Sequence, residues 1–213
     1  MLKDLGQLSL SITIIMLNQL KAKPDFISAW IRNPRQVGAL FPSSDGLSQA
    51  MAAQVSSMNG LTIELGAGTG AVTSALLNRG INPDRLVVVE KDPILAEKLT
   101  TQFPSLNILA GDASRLQQLL KQHQLGLAES VVSSLPLLNM RIHTRIRVLS
   151  AIFNSLNHDG KLIQYTYSPA PPIHKQLARS MQVHGYRIDR ILWNFPPAHV
   201  WVYRKFETLF NSA

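Results

Sequence analysis

The stretch Glu64-Leu65-Gly66-Ala67-Gly68-Thr69-Gly70 separates two apolar segments and decides the fold. Leu61-Thr62-Ile63 precedes it and is apolar and β-branched, which predicts a buried strand. The segment from Ala71 to Leu77 follows it, with apolar residues at helical spacing. The order strand, glycine turn, helix predicts a ligand site, because glycine lets a ligand approach the backbone and the first helical amides face that ligand.

The spacing of the glycines differs from that of nicotinamide and flavin sites. Those sites have Gly-x-Gly-x-x-Gly, whereas this chain has Gly-x-Gly-x-Gly from Gly66 to Gly70, with Glu64 two residues ahead of the first glycine. A glycine turn that binds nothing is the structural alternative. The pattern resembles motif I of the class I S-adenosylmethionine-dependent methyltransferases. This resemblance implies a Rossmann-like α/β fold and S-adenosylmethionine as the cofactor.

Length and composition indicate one globular domain with a sizeable core, since the chain has 213 residues of which 46% are hydrophobic. The chain has no cysteine, which excludes disulfides and thiolate metal sites, and we expect no metal. The formal charge of +8 favours an anionic partner, either nucleic acid or an anionic membrane surface. A basic protein without such a partner is the alternative.

Residues 1–23 predict an amphipathic helix ahead of a methyltransferase domain over residues 24–213. Its longest unbroken apolar run is far too short to span a bilayer, and no cleavage site of a secretory signal follows it. The same pattern serves a helix that lies on a membrane and one that packs on the domain. Its apolar positions recur at helical spacing: Leu5, Leu8, Ile12, Ile15, Met16 and Leu20.

Alternating strand and helix signals continue after the glycine turn and predict a doubly wound, seven-stranded, mostly parallel sheet with helices on both faces. The last two strands form an antiparallel pair between Ile191 and Lys205, separated by Pro196 and Pro197. Ahead of the sheet, Ser43 or Ser44 could cap a helix from Asp45 to Val55, or belong to a lid over the cofactor. The other predicted strands are 85–90, 107–113, 129–138 and 160–167, with helices at 93–103 and 141–156.

Several residues are candidates for holding the cofactor. Glu90 ends the second predicted strand, where a carboxylate can accept both ribose hydroxyls of a nucleoside. Asp112 resembles the acid that this superfamily places beside the adenine amino group, although an N-cap is its structural alternative. The full predicted cofactor set is Glu64, Gly66, Gly68, Gly70, Glu90, Lys91, Asp112, Ala113 and Ser133.

Six segments of the chain carry recognisable motifs: residues 30–34, 38–44, 64–70, 133–138, 164–167 and 194–204. Through them most of the chain resembles one branch of the superfamily, the bacterial phospholipid N-methyltransferases. That branch methylates phosphatidylethanolamine and its methylated intermediates toward phosphatidylcholine. The resemblance implies a cytoplasmic enzyme attached peripherally to the inner face of the cell membrane, with an anionic membrane surface as partner. Ser134 departs from the glycine that we expect in many members.

Amine methylation needs a neutral nitrogen lone pair held in line with the activated methyl group. Hydroxyl groups or a backbone carbonyl can orient the amine, and aromatic faces tolerate the cationic character that grows with methylation. We therefore predict Tyr165, Tyr167 and Ser134 as the catalytic residues. Strand packing is the structural alternative for the tyrosines. Arg32, Arg35, Lys175, Arg179 and Arg187 could meet lipid phosphates, or could form an ordinary solvated basic face.

Two other function classes are compatible with the sequence. An RNA adenine N6-methyltransferase would use the basic charge, and Ser134-Leu135-Pro136 loosely resembles its Asn-Leu-Pro-Tyr loop. However, Leu137 stands where such an enzyme has an aromatic residue to stack the target base, so we expect no nucleic-acid partner. A noncatalytic membrane-binding module is the other alternative, and it would bind the cofactor without methylating any acceptor.

Overall fold

The computed structural model describes residues 43–191 and 197–206. The strands in chain order are β1 (Thr62–Leu65), β2 (Leu86–Glu90), β3 (Asn107–Ala110), β4 (Ala128–Ser133), β5 (Leu156–Thr166), β6 (Val183–Ile191) and β7 (Ala198–Lys205). The helices are α1 (Ser43–Ala52), α2 (Ala71–Asn78), α3 (Pro93–Gln102), α4 (Leu116–Gln122), α5 (Ile142–Ser155) and α6 (Lys175–Ser180). Short 3₁₀ turns occur at Pro83–Arg85, Ala113–Arg115 and Leu137–Asn139.

The strands form one seven-stranded sheet in the order β3-β2-β1-β4-β5-β7-β6. Strands β1 to β5 pair in parallel, while β7 runs antiparallel between β5 and β6. The order reverses direction at β1, and ligands of open α/β sheets bind beside the carboxyl ends of the strands at such a switch point. The glycine turn after β1 lies at this point.

Helices cover both faces of the sheet, which explains why its central strands are largely apolar. Every residue of β1 and β2 is buried. Ile63 and Leu65 pack in one core cluster with residues of α4 and α5, whereas Val88 and Val132 pack in the other with residues of α1, α2 and α3. Glu64 pairs in register with Val88 and Val132, so its carboxylate lies on the α1–α3 face.

Local sequence chemistry sets the start of α3, which follows β2. The side chain of Asp92 accepts hydrogen bonds from the amides of Ile94 and Leu95, and Pro93 occupies the first helical position. An aspartate cap followed by proline is a strong helix-start signal, because proline lacks only an amide that would have no partner there. The turn between β2 and α3 is thereby fixed directly beside Glu90.

The predicted architecture is confirmed, while several element boundaries were wrong. Helix α1 begins at Ser43, so both serines that we expected as caps fall within its first turn. Strand β6 ends at Ile191, where the predicted terminal pair was expected to begin. Strand β6 is an edge strand whose residues 184–188 are exposed, and it therefore lacks the apolar run that marks a buried strand.

The chain divides into two units, Met1–Phe41 and Pro42–Ala213. The predicted amphipathic helix over residues 1–23 and the lid alternative for the loop before α1 lie outside the described residues and stay predictions. In the part of the chain that the structure describes, no helix is long and apolar enough to cross a membrane.

Candidate cofactor and acceptor site

The loop between β1 and α2, which runs from Gly66 to Gly70 and is here called the glycine loop, adopts a backbone conformation that requires glycine. Gly66, Gly68 and Gly70 have φ angles of 73°, 58° and 84°, which L side chains rarely adopt. A Cβ added to Gly68 would meet no atom within 4 Å, so this glycine borders open space. A Cβ added to Gly70 would instead come within 2.7 Å of the Phe103 ring. The loop therefore packs on α3 at its end and leaves room for a ligand at its middle.

Glu90 joins the glycine loop to the turn after β2. Its Oε2 accepts a hydrogen bond from the amide of Gly68 at 2.9 Å, and its Oε1 accepts one from the amide of Asp92 at 3.0 Å. Only 7% of the residue is exposed. An ionised carboxylate has about four lone-pair positions, so each oxygen retains capacity for a ligand hydroxyl. The two backbone bonds fix the carboxylate beside the open space at Gly68.

Glu64 is fully buried beneath the same loop. Its Oε2 accepts a hydrogen bond from the Thr73 hydroxyl of α2 at 2.7 Å, and its Oε1 has no hydrogen-bond partner among the described residues. Burial raises the pKa of Glu64 to about 7, against the smaller opposing effect of the bonds from Thr73. A buried carboxylate oxygen without a partner is costly, so this site favours a ligand that donates a hydrogen bond or carries positive charge.

Asp112 follows β3 at the next position along the carboxyl edge. Its Oδ2 lies 2.8 Å from the Lys91 Nζ, and its Oδ1 accepts a hydrogen bond from the amide of Ser114. The bond from Lys91 is the main reason that the pKa of Asp112 falls to about 2. Asp112 is thus the N-cap of the Ala113–Arg115 turn, as the structural alternative predicted. Ala113 packs in the core cluster of the α4–α5 face.

The segment from Ser133 to Leu138, here called the acceptor loop, follows β4. The amide of Ser134 donates to the carbonyl of Leu65 at 2.9 Å, and the hydroxyl of Ser133 accepts from the amide of Leu135 at 3.3 Å. A Cβ on Gly66 would come within 2.9 Å of the Leu135 side chain. The acceptor loop therefore packs directly against the glycine loop, and the absent Gly66 side chain makes room for it.

Gln164 of β5 holds the acceptor loop from the other side. Its Nε2 donates to the carbonyl of Leu135 at 3.0 Å and to the carbonyl of Tyr165 at 2.8 Å. The residue is fully buried, and its Oε1 has no partner within residues 43–191 and 197–206. We did not predict a role for Gln164, although a polar residue inside the apolar run of a buried strand was a signal for one. Thr73 was missed as well.

Tyr165 and Tyr167 lie on the same side of the sheet, as the period-two alternation predicts. Their ring centroids are 5.4 Å apart with the rings at 76°, and both pack against the core cluster of the α1–α3 face. Burial raises the pKa of the Tyr165 hydroxyl, which therefore stays protonated at neutral pH. It can both donate and accept a hydrogen bond, but it is a poor base.

The structure divides the predicted site residues between the two faces of the sheet. Gln164 pairs in register with Ser133, and Ser133 pairs with Leu65, so these side chains share the α4–α5 face. The tyrosines and Glu64 share the other face. The structure brings the glycine loop close to Glu64 and Glu90. Farther along the same edge of the sheet, Lys91 forms an ion pair with Asp112. The acceptor loop, which includes Ser134, lies at the strand ends where the two faces meet.

These residues fit S-adenosylmethionine, the cofactor that the resemblance implies. The space beside Gly68 accommodates a ligand against bare backbone, and Glu90 is fixed there with lone pairs to spare. The unpartnered Oε1 of Glu64 favours a cationic or hydrogen-bond-donating ligand. Glu64, Gly66, Gly68, Glu90 and Asp112 would hold the cofactor along the carboxyl edge. Within the described ranges, no group of three or more His, Cys, Asp or Glu residues could hold a metal ion.

Comparisons with solved structures agree with this fold. The chain is similar to a TehB-like S-adenosylmethionine-dependent methyltransferase from Corynebacterium glutamicum, with a TM-score of 0.56 and 17% identity over 85% of this chain and 96% of that one. It is also similar to the 1,6-didemethyltoxoflavin N1-methyltransferase of Burkholderia thailandensis, with a TM-score of 0.61 and 17% identity over 85% of each chain. The second structure contains S-adenosylhomocysteine. At these identities the likeness shows the fold alone.

A closer likeness is found among characterised proteins, although no family model matches the chain. The ornithine lipid N-methyltransferase of Singulisphaera acidiphila is 30% identical over 149 residues, which are 68% of this chain and 77% of that protein. Such identity over most of both chains shows common family membership, and S-adenosylmethionine is accordingly the methyl donor. The chain therefore belongs to the class I S-adenosylmethionine-dependent methyltransferases, and within them to the family of the Singulisphaera acidiphila enzyme.

Proposed function

We propose that this enzyme N-methylates the headgroup amine of a membrane lipid, with phosphatidylethanolamine and its mono- and dimethyl forms as acceptors. The observation that carries the proposal is the 30% identical relative, which is a lipid N-methyltransferase. The choice of phosphatidylethanolamine rests on the sequence motifs described above, from the acceptor loop to Gln164-Tyr165-Thr166-Tyr167. The final product of the series would be phosphatidylcholine.

The described residues supply what this reaction needs from the protein. When bound, the cofactor supplies a methyl group activated by its sulfonium. The acceptor loop lies against the glycine loop, so an amine held by its carbonyls or by Ser134 would lie next to the cofactor site. The protonated Tyr165 hydroxyl and the two tyrosine rings lie at the end of the neighbouring strand. Holding the amine in a near-attack geometry is the main contribution that such groups make.

Methylation of ornithine lipid is a second candidate, favoured by the name of the relative. Both lipids present a primary amine at a bilayer surface, but only phosphatidylethanolamine carries a phosphate beside it. Lys175 opens α6 and is exposed, as is Arg179 one helical turn later. Such cations attract an anionic headgroup, and because ornithine carries a carboxylate where phosphatidylethanolamine carries a phosphate, they suit either acceptor.

RNA methylation has less support from the structure. Leu137, at the position where an RNA adenine enzyme carries its stacking aromatic residue, is only 2% exposed and packs in the core cluster of the α4–α5 face. It presents no surface on which an extruded base could stack. An anionic membrane is therefore a better candidate than RNA for the partner of this basic chain.

We place the enzyme at the inner face of the cell membrane as a peripheral protein. The support is the formal charge of +8, which attracts an anionic surface, and a substrate class that resides in the bilayer. The predicted amphipathic helix over residues 1–23 would contribute apolar insertion. This placement is part of the proposal, and the flotation with anionic vesicles described below tests the membrane contact.

The test supplies S-adenosylmethionine labelled on its methyl group to the full chain. Parallel reactions contain vesicles with phosphatidylethanolamine, vesicles with ornithine lipid, or bacterial RNA. We expect label in the extracted lipids of the first reaction, first as monomethyl and later as dimethyl and trimethyl forms. Label in ornithine lipid alone would establish the second candidate. Label in RNA and in no lipid would overturn the proposal, and cofactor binding without any labelled product would identify a noncatalytic module.

A further inference from the structure

One side of α5 forms an apolar stripe along its length, and the residues at its N-terminal end are exposed at the surface. Ile142, Ile146, Leu149 and Phe153 recur at steps of four, three and four residues, which places them on one side of the helix. Leu149 and Phe153 are buried in the core, whereas Ile142 is 51% exposed and Ile146 is 38% exposed. Large exposed apolar side chains next to each other mark an interaction surface more often than isolated ones do.

The exposed end of the stripe lies at the carboxyl edge of the sheet, where the substrate must enter. Helix α5 begins directly after the acceptor loop and the Leu137–Asn139 turn. The Nη2 of Arg145, which is 9% exposed, donates to the carbonyls of Leu138 and Met140 at 3.0 and 3.3 Å. These bonds tie the first turns of α5 to the end of the acceptor loop, so the exposed isoleucines are held beside the predicted amine site.

The charged residues on this stretch of the chain all have one sign. Arg141, the N-cap of α5, and Arg147 on its second turn are exposed. No aspartate or glutamate occurs anywhere between residues 130 and 158. An apolar surface that its own segment flanks with cations is complementary to a surface that offers hydrocarbon behind anions.

We propose that Arg141, Ile142, Ile146 and Arg147, here called the α5 edge patch, dock the enzyme on an anionic lipid bilayer. The inference rests on the proposed function, in which the acceptor is a membrane lipid. The isoleucines insert at the headgroup boundary and the arginines bind lipid phosphates, so that the acceptor loop faces the bilayer from which the amine comes. A second copy of this chain fits less well, because a two-fold interface through the patch would bring arginines against arginines.

Two double variants test the patch in the full chain. Ile142→Ser/Ile146→Ser removes the apolar part, and Arg141→Gln/Arg147→Gln removes the charges. The matched control is Leu127→Ser/Arg85→Gln, which removes one exposed apolar residue and one exposed cation at the opposite edge of the sheet, directly ahead of β4 and β2. Binding is measured by flotation with vesicles of phosphatidylcholine containing phosphatidylglycerol, over a range of salt concentrations.

We expect each patch variant to bind these vesicles roughly 10- to 30-fold more weakly, because the arginine variant loses two cations near an anionic surface and the isoleucine variant loses the side chains that insert. The arginine variant should also show a weaker salt dependence. Methylation of lipid in vesicles should fall in parallel, while turnover of a short-chain phosphatidylethanolamine below its micelle concentration stays within about two-fold of wild type. The control should match wild type in every measurement.

Vesicle affinities equal to wild type in both patch variants would overturn the inference while leaving lipid methylation intact. So would a loss of folding stability in the isoleucine variant, which would show that another part of the chain covers the patch. A shift of the wild type from dimer to monomer on substitution would assign the patch to a second copy instead. Failure of the proposed function is distinct from all of these, because no lipid would then be methylated in any form.

Discussion

The side chain of Leu135 occupies the space that a Cβ on Gly66 would need, with only 2.9 Å between its Cδ2 and that position. One residue belongs to the loop beneath the cofactor site and the other to the acceptor loop. The contact means that neither loop can shift without the other, because protein interiors are close-packed. The two loops, which we propose as the cofactor and acceptor half-sites, are therefore coupled by packing.

This coupling predicts the outcome of a double-mutant cycle. Gly66→Ala strains a backbone with φ of 73° and displaces Leu135, so it should weaken cofactor binding and slow turnover. Leu135→Ala alone should slow turnover more than it weakens cofactor binding. In the double variant the steric part disappears, and we expect a coupling energy of about 0.5–3 kcal/mol between the two sites. Calorimetry with S-adenosylhomocysteine and turnover assays measure both quantities.

The control for this cycle is Gly126→Ala, since Gly126 is exposed and an added Cβ would meet nothing within 4 Å. It should leave affinity and turnover unchanged. Strictly additive effects of Gly66→Ala and Leu135→Ala would contradict the proposed coupling.

Glu90→Gln should weaken cofactor binding. The substitution places an amide donor opposite the amide of either Gly68 or Asp92, and it removes the negative charge that ribose hydroxyls would meet. Bonds to charged groups contribute about 1.5–3 kcal/mol each, so we expect at least a ten-fold loss of affinity. Glu97→Gln, on the exposed side of α3, is the matched control. Unchanged calorimetric affinity in folded Glu90→Gln protein would remove Glu90 from the cofactor site.

Glu64 should make the stability of the cofactor-free enzyme depend on pH. Its pKa rises from 4.5 to about 7 on folding, so the folded state holds a proton that the unfolded state has released. The free energy of unfolding should therefore decrease as pH rises from about 4.5 to about 7, by roughly 3 kcal/mol in total. Glu64→Gln keeps the shape and removes this dependence. Denaturant unfolding at pH 5 and pH 8 compares the two proteins, and equal slopes with pH would refute the assignment.

Gln164→Leu should separate turnover from cofactor binding. It places an apolar side chain of similar size in the core and removes both hydrogen bonds that Gln164 donates, including the one to Leu135 of the acceptor loop. A carbonyl left without its donor costs about 1–3 kcal/mol, part of which should appear as lower stability. We expect a lower kcat with nearly unchanged affinity for S-adenosylhomocysteine. An equal loss of both would indicate a purely structural role.

Deletion of residues 1–23 should reduce vesicle binding and lipid methylation while leaving cofactor affinity nearly intact. The predicted helix there would insert apolar area worth roughly 25 cal/mol per Å², and Lys21 and Lys23 would add attraction to anionic lipids. Flotation and thermal unfolding of the truncated protein decide the matter. Undiminished vesicle binding together with lower thermal stability would show that the segment packs on the domain.

The sequence predicts the central part of the fold because burial on both faces leaves a clear pattern. The run around Val88 is apolar without interruption, and the run around Ile63 is broken only by Thr62 and Glu64. The glycines between the first strand and its helix indicate a tight turn. Strand β6 was not predicted because it lies at the edge of the sheet and pairs only with β7, so its residues 184–188 stay exposed. Its exposed residues follow no apolar periodicity.

The candidate site was predictable only in part. Glu64 is the second-last residue of β1 and Glu90 is the last residue of β2. Both strands are recognisable in the sequence, so the position of the two carboxylates at one edge of the sheet follows from topology. The partners of these residues depend on tertiary packing that no local pattern reveals. Thr73 meets Glu64 across a helix–strand contact, and Gln164 reaches a loop that follows a different strand. The separation of the tyrosines from Ser133 by the sheet likewise depends on register.

The first turn of α5 is locally frustrated. The N-cap of this helix is Arg141, whose side chain makes no capping hydrogen bond, and the first turn contains no acidic residue. The N-terminus of a helix nevertheless carries partial positive charge. Arg141 opposes that charge at a cost of a few tenths of a kcal/mol, so the sequence conflicts with the fold at this point. An anionic surface would relieve the conflict. The native state should consequently be more resistant to unfolding on anionic vesicles than in solution, making the bilayer a stabilising ligand of the folded enzyme.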